Sequence, residues 1–177
     1  MKGQKMDGSI QVYYGNGRGK TTAALGLGIR AAGVGKQVIM VQFLKKKHSD
    51  TLDFLKKLEP ELQIFRFEKA ACGYSDLSPK EKQEQMLNIK NALGYSRKVL
   101  DTGQCDLLIL DEIFGLVDYN IITIEELMDL IAVKKDSMDL ILTGRNLPDE
   151  VREIADCVYS IQREKEKTPE ILAQGIS

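Results

Sequence analysis

Tyr14-Gly15-Asn16-Gly17-Arg18-Gly19-Lys20-Thr21-Thr22 is the stretch on which the reading of the whole chain turns. It follows a short apolar run, Ser9–Tyr14, that reads as a strand. It opens Thr21–Ala32, an Ala- and Leu-rich segment of helical spacing that Gly33 and Gly35 can end. A strand, a glycine-rich turn and a helix in that order form the context of a phosphate-binding loop. Glycines at 15, 17 and 19 let backbone N–H groups converge on phosphate oxygens. The helix N-terminus adds partial positive charge. Lys20 supplies a mobile cation for the outer phosphates, and the Thr21 hydroxyl can ligate Mg²⁺. Gly15, Asn16, Gly17, Arg18, Gly19, Lys20, Thr21 and Thr22 are therefore the expected binding residues for a nucleoside triphosphate. The general pattern GxxxxGK[ST] would place its first glycine at Tyr14; here it stands one place later, at Gly15.

Outward from the loop, strand-length apolar runs alternate with helical segments. Gln37–Phe43, Leu62–Phe67, Asp106–Asp111, Asp139–Thr143 and Cys157–Ile161 read as strands. A short helix is expected over Thr51–Leu58, before Pro60. A long one opens with Ser78 as cap, Pro79 in the first turn and Glu81 completing a capping box, and Gly103 can end it. Thr123 and Glu126 form a second capping box for a helix to about Lys134, and Pro148–Ala155 reads as a short helix. Near-continuous apolar strands alternating with helices predict an α/β fold, a mostly parallel sheet covered by helices on both faces. At 177 residues, with no repeat and no low-complexity linker, residues 1–177 are expected to form a single nucleotide-binding domain, its tail 163–177 unassigned.

Sheets of this kind bind ligands beyond the carboxyl ends of their strands. Asp111 and Glu112 close the run Asp106–Asp111 there, and in phosphate-loop proteins an acid at such a position holds the magnesium. Thr21, Asp111 and Glu112 are thus the candidate metal residues. Arg145, in Leu142-Thr143-Gly144-Arg145-Asn146, ends another strand and could reach phosphates with its planar fork. Lys20, Glu112 and Arg145 are the candidate catalytic residues. Lys45–Lys47 reads as a solvated turn, or alternatively as a patch for anionic or amide groups of a ligand. The chain has no NKxD motif and no protein-kinase motif set.

Composition narrows the function classes. The formal net charge is −1, which gives no support to a nucleic-acid or anionic-membrane partner. No apolar stretch approaches the about 20 residues of a membrane span, and Met1–Ser9 lacks an apolar signal core, so a cytoplasmic protein is expected. Cys72, Cys105 and Cys157 are widely spaced without a CxxC pair, and His48 is the only histidine, so neither a disulfide framework nor a zinc site is expected.

Taken together, GNGRGKTTAALGLGIRAAG, VIMVQFL, DLLILDEI and LTGRN, with Pro148 and Ala155-Asp156, closely resemble the corrinoid adenosyltransferases of the CobA/CobO/BtuR type. Order and spacing agree from about Ile10 to Ile161. The resemblance implies a RecA-like P-loop fold and, usually, a homodimer. It implies transfer of the 5′-deoxyadenosyl group of ATP to the Co(I) centre of a reduced corrinoid, with release of triphosphate, in cobalamin biosynthesis or salvage. It implies ATP and the corrinoid as substrates, Mg²⁺ as metal, and a corrinoid reductase or flavodoxin-like protein as electron donor. Carried over by position, Gly15 to Thr22 cradle the triphosphate, Thr21 and Glu112 hold Mg²⁺ with Asp111 close by, and Tyr74 of Gly73-Tyr74-Ser75-Asp76 lies in the corrinoid segment. In that segment Asp76 stands where relatives carry Trp, and the chain has no Trp. Two other readings stay open on the residues: a P-loop ATPase or kinase cleaving the γ-phosphate, and a non-catalytic relative that binds nucleotide or corrinoid.

Overall fold

The computed structural model describes residues 7–45, 55–67 and 77–165. His48, Cys72, Tyr74, Asp76, the first part of the expected helix over Thr51–Leu58 and most of the tail lie outside them. Of that helix, Lys56–Leu58 form a short 3₁₀ turn.

Six strands make one sheet: β1 (Ile10–Tyr14), β2 (Val38–Gln42), β3 (Leu62–Arg66), β4 (Leu107–Asp111), β5 (Asp139–Gly144) and β6 (Cys157–Ser160). Their spatial order is β3-β2-β4-β5-β1-β6, and every neighbouring pair is parallel. The central strands β2 and β4 are buried on both faces, which is why they read as unbroken apolar runs. Alternate residues face opposite ways. Val38, Met40, Leu107, Ile109 and Ile141 pack with Ala24 on the face covered by α1 (Lys20–Ala32). Ile39, Val41, Leu108, Leu110, Leu140 and Leu142 pack on the other face, in the larger core. That core includes residues of α2 (Pro79–Thr102), α3 (Ile113–Asp118), α4 (Ile124–Ala132) and α5 (Asp149–Ile154).

The local signals act as their chemistry requires. Ser78 Oγ accepts from Glu81 N–H and the Glu81 carboxylate accepts from Ser78 N–H, with Pro79 in the first turn. Gly103 closes α2 at φ 66, in the left-handed region, its N–H bonded to Val99 O. Thr123 and Glu126 make the same reciprocal cap on α4. Each cap contributes about 1 kcal/mol by stabilising otherwise unpartnered N–H groups. One element differs from expectation. Ile113–Asp118 forms a six-residue helix directly after β4, where no helix was expected. It starts at Glu112, which has φ 63 and provides no side-chain cap, so the usual signal is missing.

The strand order positions the site. β5 lies between β1, which leads into the loop, and β4, which carries the acids. Tyr13 is in register with Thr143, and Leu110 with Leu142. The carboxyl ends of β1, β5 and β4 therefore meet side by side.

Candidate active site

The loop after β1 folds tightly against its own protein. Gly15 sits at φ 122, and its N–H donates to the carbonyls of Gly144 at 3.2 Å and Arg145 at 3.0 Å. Gly17 N–H donates to Ile161 O at 2.9 Å, while Ile161 N–H donates to Tyr14 O at 2.7 Å. A Cβ at Gly15 would fall 2.3 Å from Ile161 O, and one at Gly17 2.8 Å from the same atom. This changes the reading of two glycines. Gly15 and Gly17 are needed for close packing on Ile161, just past β6, the edge neighbour of β1, and their N–H groups already have acceptors within the chain. The N–H groups left without an intrahelical acceptor are those at the start of α1, whose cap is Gly19 at φ 109 with open space around it. Asn16, Arg18, Gly19 and Thr22 are exposed on the rim.

Lys20 arches over the loop. Its Nζ donates to Gly15 O at 2.7 Å and Gly17 O at 3.0 Å. Burial pushes its ammonium below the usual lysine range, and the positive charges of Arg145 and Lys45 act the same way. Glu112 and Asp111 act against them. Arg145 itself is exposed, held at the site by the Gly144–Arg145 turn on which Gly15 rests.

Asp111 is the hub. Its carboxylate is fully buried, 0% exposed, and would be costly there without partners. It has many. Thr143 Oγ1 donates to Oδ1 at 2.7 Å, and Gln42 Nε2 donates to Oδ2 at 2.9 Å. The Thr21 hydroxyl lies 2.9 Å and 3.0 Å from the two carboxylate oxygens. Lys45 Nζ is 3.5 Å from Oδ2 and donates to Thr21 Oγ1 at 3.0 Å. Thr143 in turn accepts from Glu112 N–H at 2.9 Å, so one buried hydroxyl fixes the Asp111 carboxylate and the Glu112 backbone. Behind Gln42, Arg66 Nε donates to Gln42 Oε1 at 2.6 Å, which sets the direction of the amide. Burial lowers the pKa of the Arg66 guanidinium, with Asp111's charge opposing it, and its Nη1 is buried without a hydrogen-bond partner.

Lys20, Thr21, Asp111, Glu112 and Arg145 are thus brought together as expected, and Tyr74 lies outside the described residues. Lys45 departs from expectation. It is not part of a solvated turn: its side chain is only 29% exposed and is paired with the hub. Gln42, Arg66 and Thr143 were not singled out. The available signal was a polar residue inside or at the end of an apolar strand, as at Gln42 and Thr143.

The donor set suits a hard divalent cation. A buried carboxylate, a threonine hydroxyl and a second carboxylate are oxygen ligands of the kind Mg²⁺ takes alongside phosphate oxygens. The position of the Lys45 ammonium at Thr21 and Asp111 shows that these oxygens attract a cation. Among the described residues, no group of three or more His, Cys, Asp and Glu side chains could hold a metal by itself. Any divalent ion here would therefore need ligands beyond acidic side chains.

Comparison with known proteins agrees. The family model described as ATP:corrinoid adenosyltransferase BtuR/CobO/CobP matches residues 6–176. A corrinoid adenosyltransferase of Escherichia coli (strain K12) is 30% identical over 155 residues, covering 88% of this chain and 76% of that protein. Corrinoid adenosyltransferase CobA of Salmonella typhimurium (strain LT2) is 30% identical over 159 residues, covering 90% and 79%. Among solved structures, a KaiC-like protein of Pyrococcus horikoshii OT3 aligns with a TM-score of 0.57 at 20% identity, over 92% of this chain and 75% of that one. That likeness bears on the fold, a P-loop α/β sheet. With nearly the full length matched by one family model and two relatives at 30% identity, this chain belongs to the ATP:corrinoid adenosyltransferase family.

Proposed function

We infer that this chain, as an enzyme of that family, transfers the 5′-deoxyadenosyl group of ATP to the cobalt of a reduced corrinoid, and that the hub around Asp111 is where the triphosphate is held. The cobalt(I) substrate attacks C5′, the C5′–O bond breaks, and the electron pair leaves with the triphosphate. The substrate is already a strong nucleophile, so no side chain has to be activated for attack. The work left to the protein is positioning and stabilising the charge that grows on the leaving group.

The chain's residues suit that work. The N–H groups at the start of α1, which lack acceptors within the helix, would receive one end of the triphosphate. Lys20, with Arg145 beside it, lies where the phosphate charge would fall. Bound Mg²⁺ would supply further neutralisation of the leaving triphosphate, and Thr21, Glu112 and Asp111 would hold it. Asp111 serves through its fixed position, because its four neighbours leave it little freedom. The observation that carries this assignment is the Thr21–Asp111 contact at 2.9 Å and 3.0 Å, which joins the loop to the acidic strand end.

Family membership favours adenosyl transfer over cleavage of the γ-phosphate. Family resemblance also supports a cytoplasmic homodimer formed by a single domain over residues 1–177, an electron donor of reductase or flavodoxin type, and a place for Tyr74 on the corrinoid side. Membership in a cobalamin-forming or salvaging route rests on the same footing. No helix among the described residues is long and apolar enough to cross a membrane.

The metal assignment is tested by titrating Mg²⁺ against adenosyl transfer in Thr21→Ala and Glu112→Gln. Thr21→Ala removes an oxygen ligand and Glu112→Gln replaces a charged carboxylate oxygen by a neutral amide oxygen, so in each the half-saturating Mg²⁺ should rise about tenfold or more, as for loss of a charge-assisted contact. Unchanged Mg²⁺ dependence in both variants would remove these residues from the metal's surroundings.

A further inference from the structure

Lys45 belongs to neither the loop nor the acidic strand end, yet it is the cation that touches both. Its ammonium sits between Thr21 and Asp111, two of the three residues assigned to the metal. Nζ donates to Thr21 Oγ1 at 3.0 Å and lies 3.5 Å from Asp111 Oδ2. The placement is built into the backbone. Leu44, immediately before it, has φ 55, a left-handed conformation that a branched side chain adopts only at a cost of about 1–3 kcal/mol. Phe43 N–H donates to Asp111 O at 2.9 Å, anchoring the turn to β4. Of the three non-glycine residues with positive φ among the described residues, Leu44 and Glu112 flank this cluster from its two sides.

We propose that Lys45 is a tethered cation that competes with the divalent ion for the Thr21 hydroxyl and the Asp111 carboxylate, and that it withdraws when Mg²⁺·ATP binds. The inference rests on the assignment of Thr21 and Asp111 to the metal. Its physical basis is charge. A threonine hydroxyl has one proton and two lone pairs. Here the carboxylate faces the hydroxyl on one side and Lys45 donates to it on another. An ammonium and a dication sharing the same two oxygens repel strongly in a site screened from water. One of them must leave. A flexible four-carbon stem lets the ammonium go while the backbone stays in place. The consequence is selectivity. Asp111 stays charge-compensated at all times, and a bare divalent ion binds poorly unless the nucleotide phosphates arrive with it and draw Lys45 away.

The test uses the full chain and Mn²⁺ alone, read from the amplitude of the free-Mn²⁺ EPR signal. Lys45→Met keeps the stem and removes the charge, so the Mn²⁺ dissociation constant should fall about tenfold or more, the scale of one charge-assisted contact. Lys45→Arg, which keeps the charge, should stay near wild type. Asp111→Asn in the Lys45→Met background should cancel the gain. Mn²⁺ binding that is weaker or unchanged in Lys45→Met, while Asp111→Asn alone still weakens it, would overturn the role of Lys45 and leave the metal assignment standing. If Thr21→Ala and Asp111→Asn leave Mn²⁺ binding unaltered in both Lys45 backgrounds, the metal assignment fails and this inference with it. A second measurement does not depend on any variant folding: a crystal structure of the wild-type chain with Mg²⁺·ATP. Lys45 Nζ should there lie beyond hydrogen-bond reach of Thr21 Oγ1. An ammonium still bonded to that hydroxyl beside the metal would refute the exchange.

Discussion

Replacing Thr143 by valine keeps the side chain's shape and removes its hydroxyl, and the structure fixes what that should cost. Thr143 is fully buried, as is Asp111. Its Oγ1 donates to Asp111 Oδ1 at 2.7 Å and accepts from Glu112 N–H at 2.9 Å. Loss of a hydrogen bond to a charged group costs about 1.5–3 kcal/mol, and loss of a neutral one about 0.5–1.5 kcal/mol. The isosteric valine leaves no cavity, so the sum, about 2–4.5 kcal/mol, is the expected destabilisation. For a chain of this length that lowers the melting temperature by roughly 2–4 °C per kcal/mol, or about 6–12 °C for a mid-range loss. Thr143→Ser is the control. It keeps both hydrogen bonds and loses a methyl group, at about 0.5–1.5 kcal/mol. Urea unfolding followed by circular dichroism should therefore rank wild type above serine and serine above valine. The cycle with Asp111→Asn should show that the two positions couple. A valine variant within about 0.5 kcal/mol of wild type, or more stable than serine, would refute the claim that Thr143 holds the acidic hub.

Lys20→Ala removes the ammonium nearest the loop, so calorimetry should show ATP affinity reduced by about tenfold to a hundredfold, the scale of lost charge-assisted contacts; unchanged affinity would sink the loop assignment. Burial pushes the Cys105 thiol up to about 12, whereas Cys157 is exposed. In a Cys72→Ser background a thiol reagent at mildly alkaline pH should modify Cys157 at once and Cys105 only after denaturation; prompt modification of both would contradict that core. For Asp139, burial pushes the carboxyl up, but hydrogen bonds from Ser9 and Lys36 outweigh it and hold it below its usual value of 3.8. Its contribution to stability is therefore present above that value and lost as pH falls through the depressed one. Asp139→Asn should make stability less steep in acid than wild type, and parallel acid curves would count against the Ser9–Asp139–Lys36 contacts.

Much of the fold was legible because its signals are local. Capping boxes at Ser78 and Thr123 depend on residues three apart, and β2 and β4 announce themselves as apolar runs. The order of the strands depends on how crossovers pack, and no single stretch encodes that. With the order goes the reason β5 matters: only once β5 lies between β1 and β4 can Thr143 hold Asp111 while Gly144 and Arg145, next along the chain, receive the N–H of Gly15. Helix α3 escaped notice because Glu112 opens it from a left-handed conformation instead of capping it. The cluster around Asp111 was half legible. Lys20, Thr21, Asp111 and Glu112 follow from spacing. Spacing makes Gly15 and Gly17 phosphate-facing, whereas their close contacts are with Ile161 and the β5 turn, distant in sequence. Lys45 was obscured by its neighbours, since a run of lysines after a strand resembles any solvated turn until the backbone at Leu44 is seen to direct the first of them inward.

The most direct test of the central claim is phosphorus product analysis of the purified chain with Mg²⁺·ATP, with and without chemically reduced cobalamin. Adenosyl transfer predicts intact triphosphate only when Co(I) is present, in step with loss of the Co(I) absorbance. ADP and phosphate released at the same rate with or without the corrinoid would contradict it, and would mean that the site binds ATP for a different reaction.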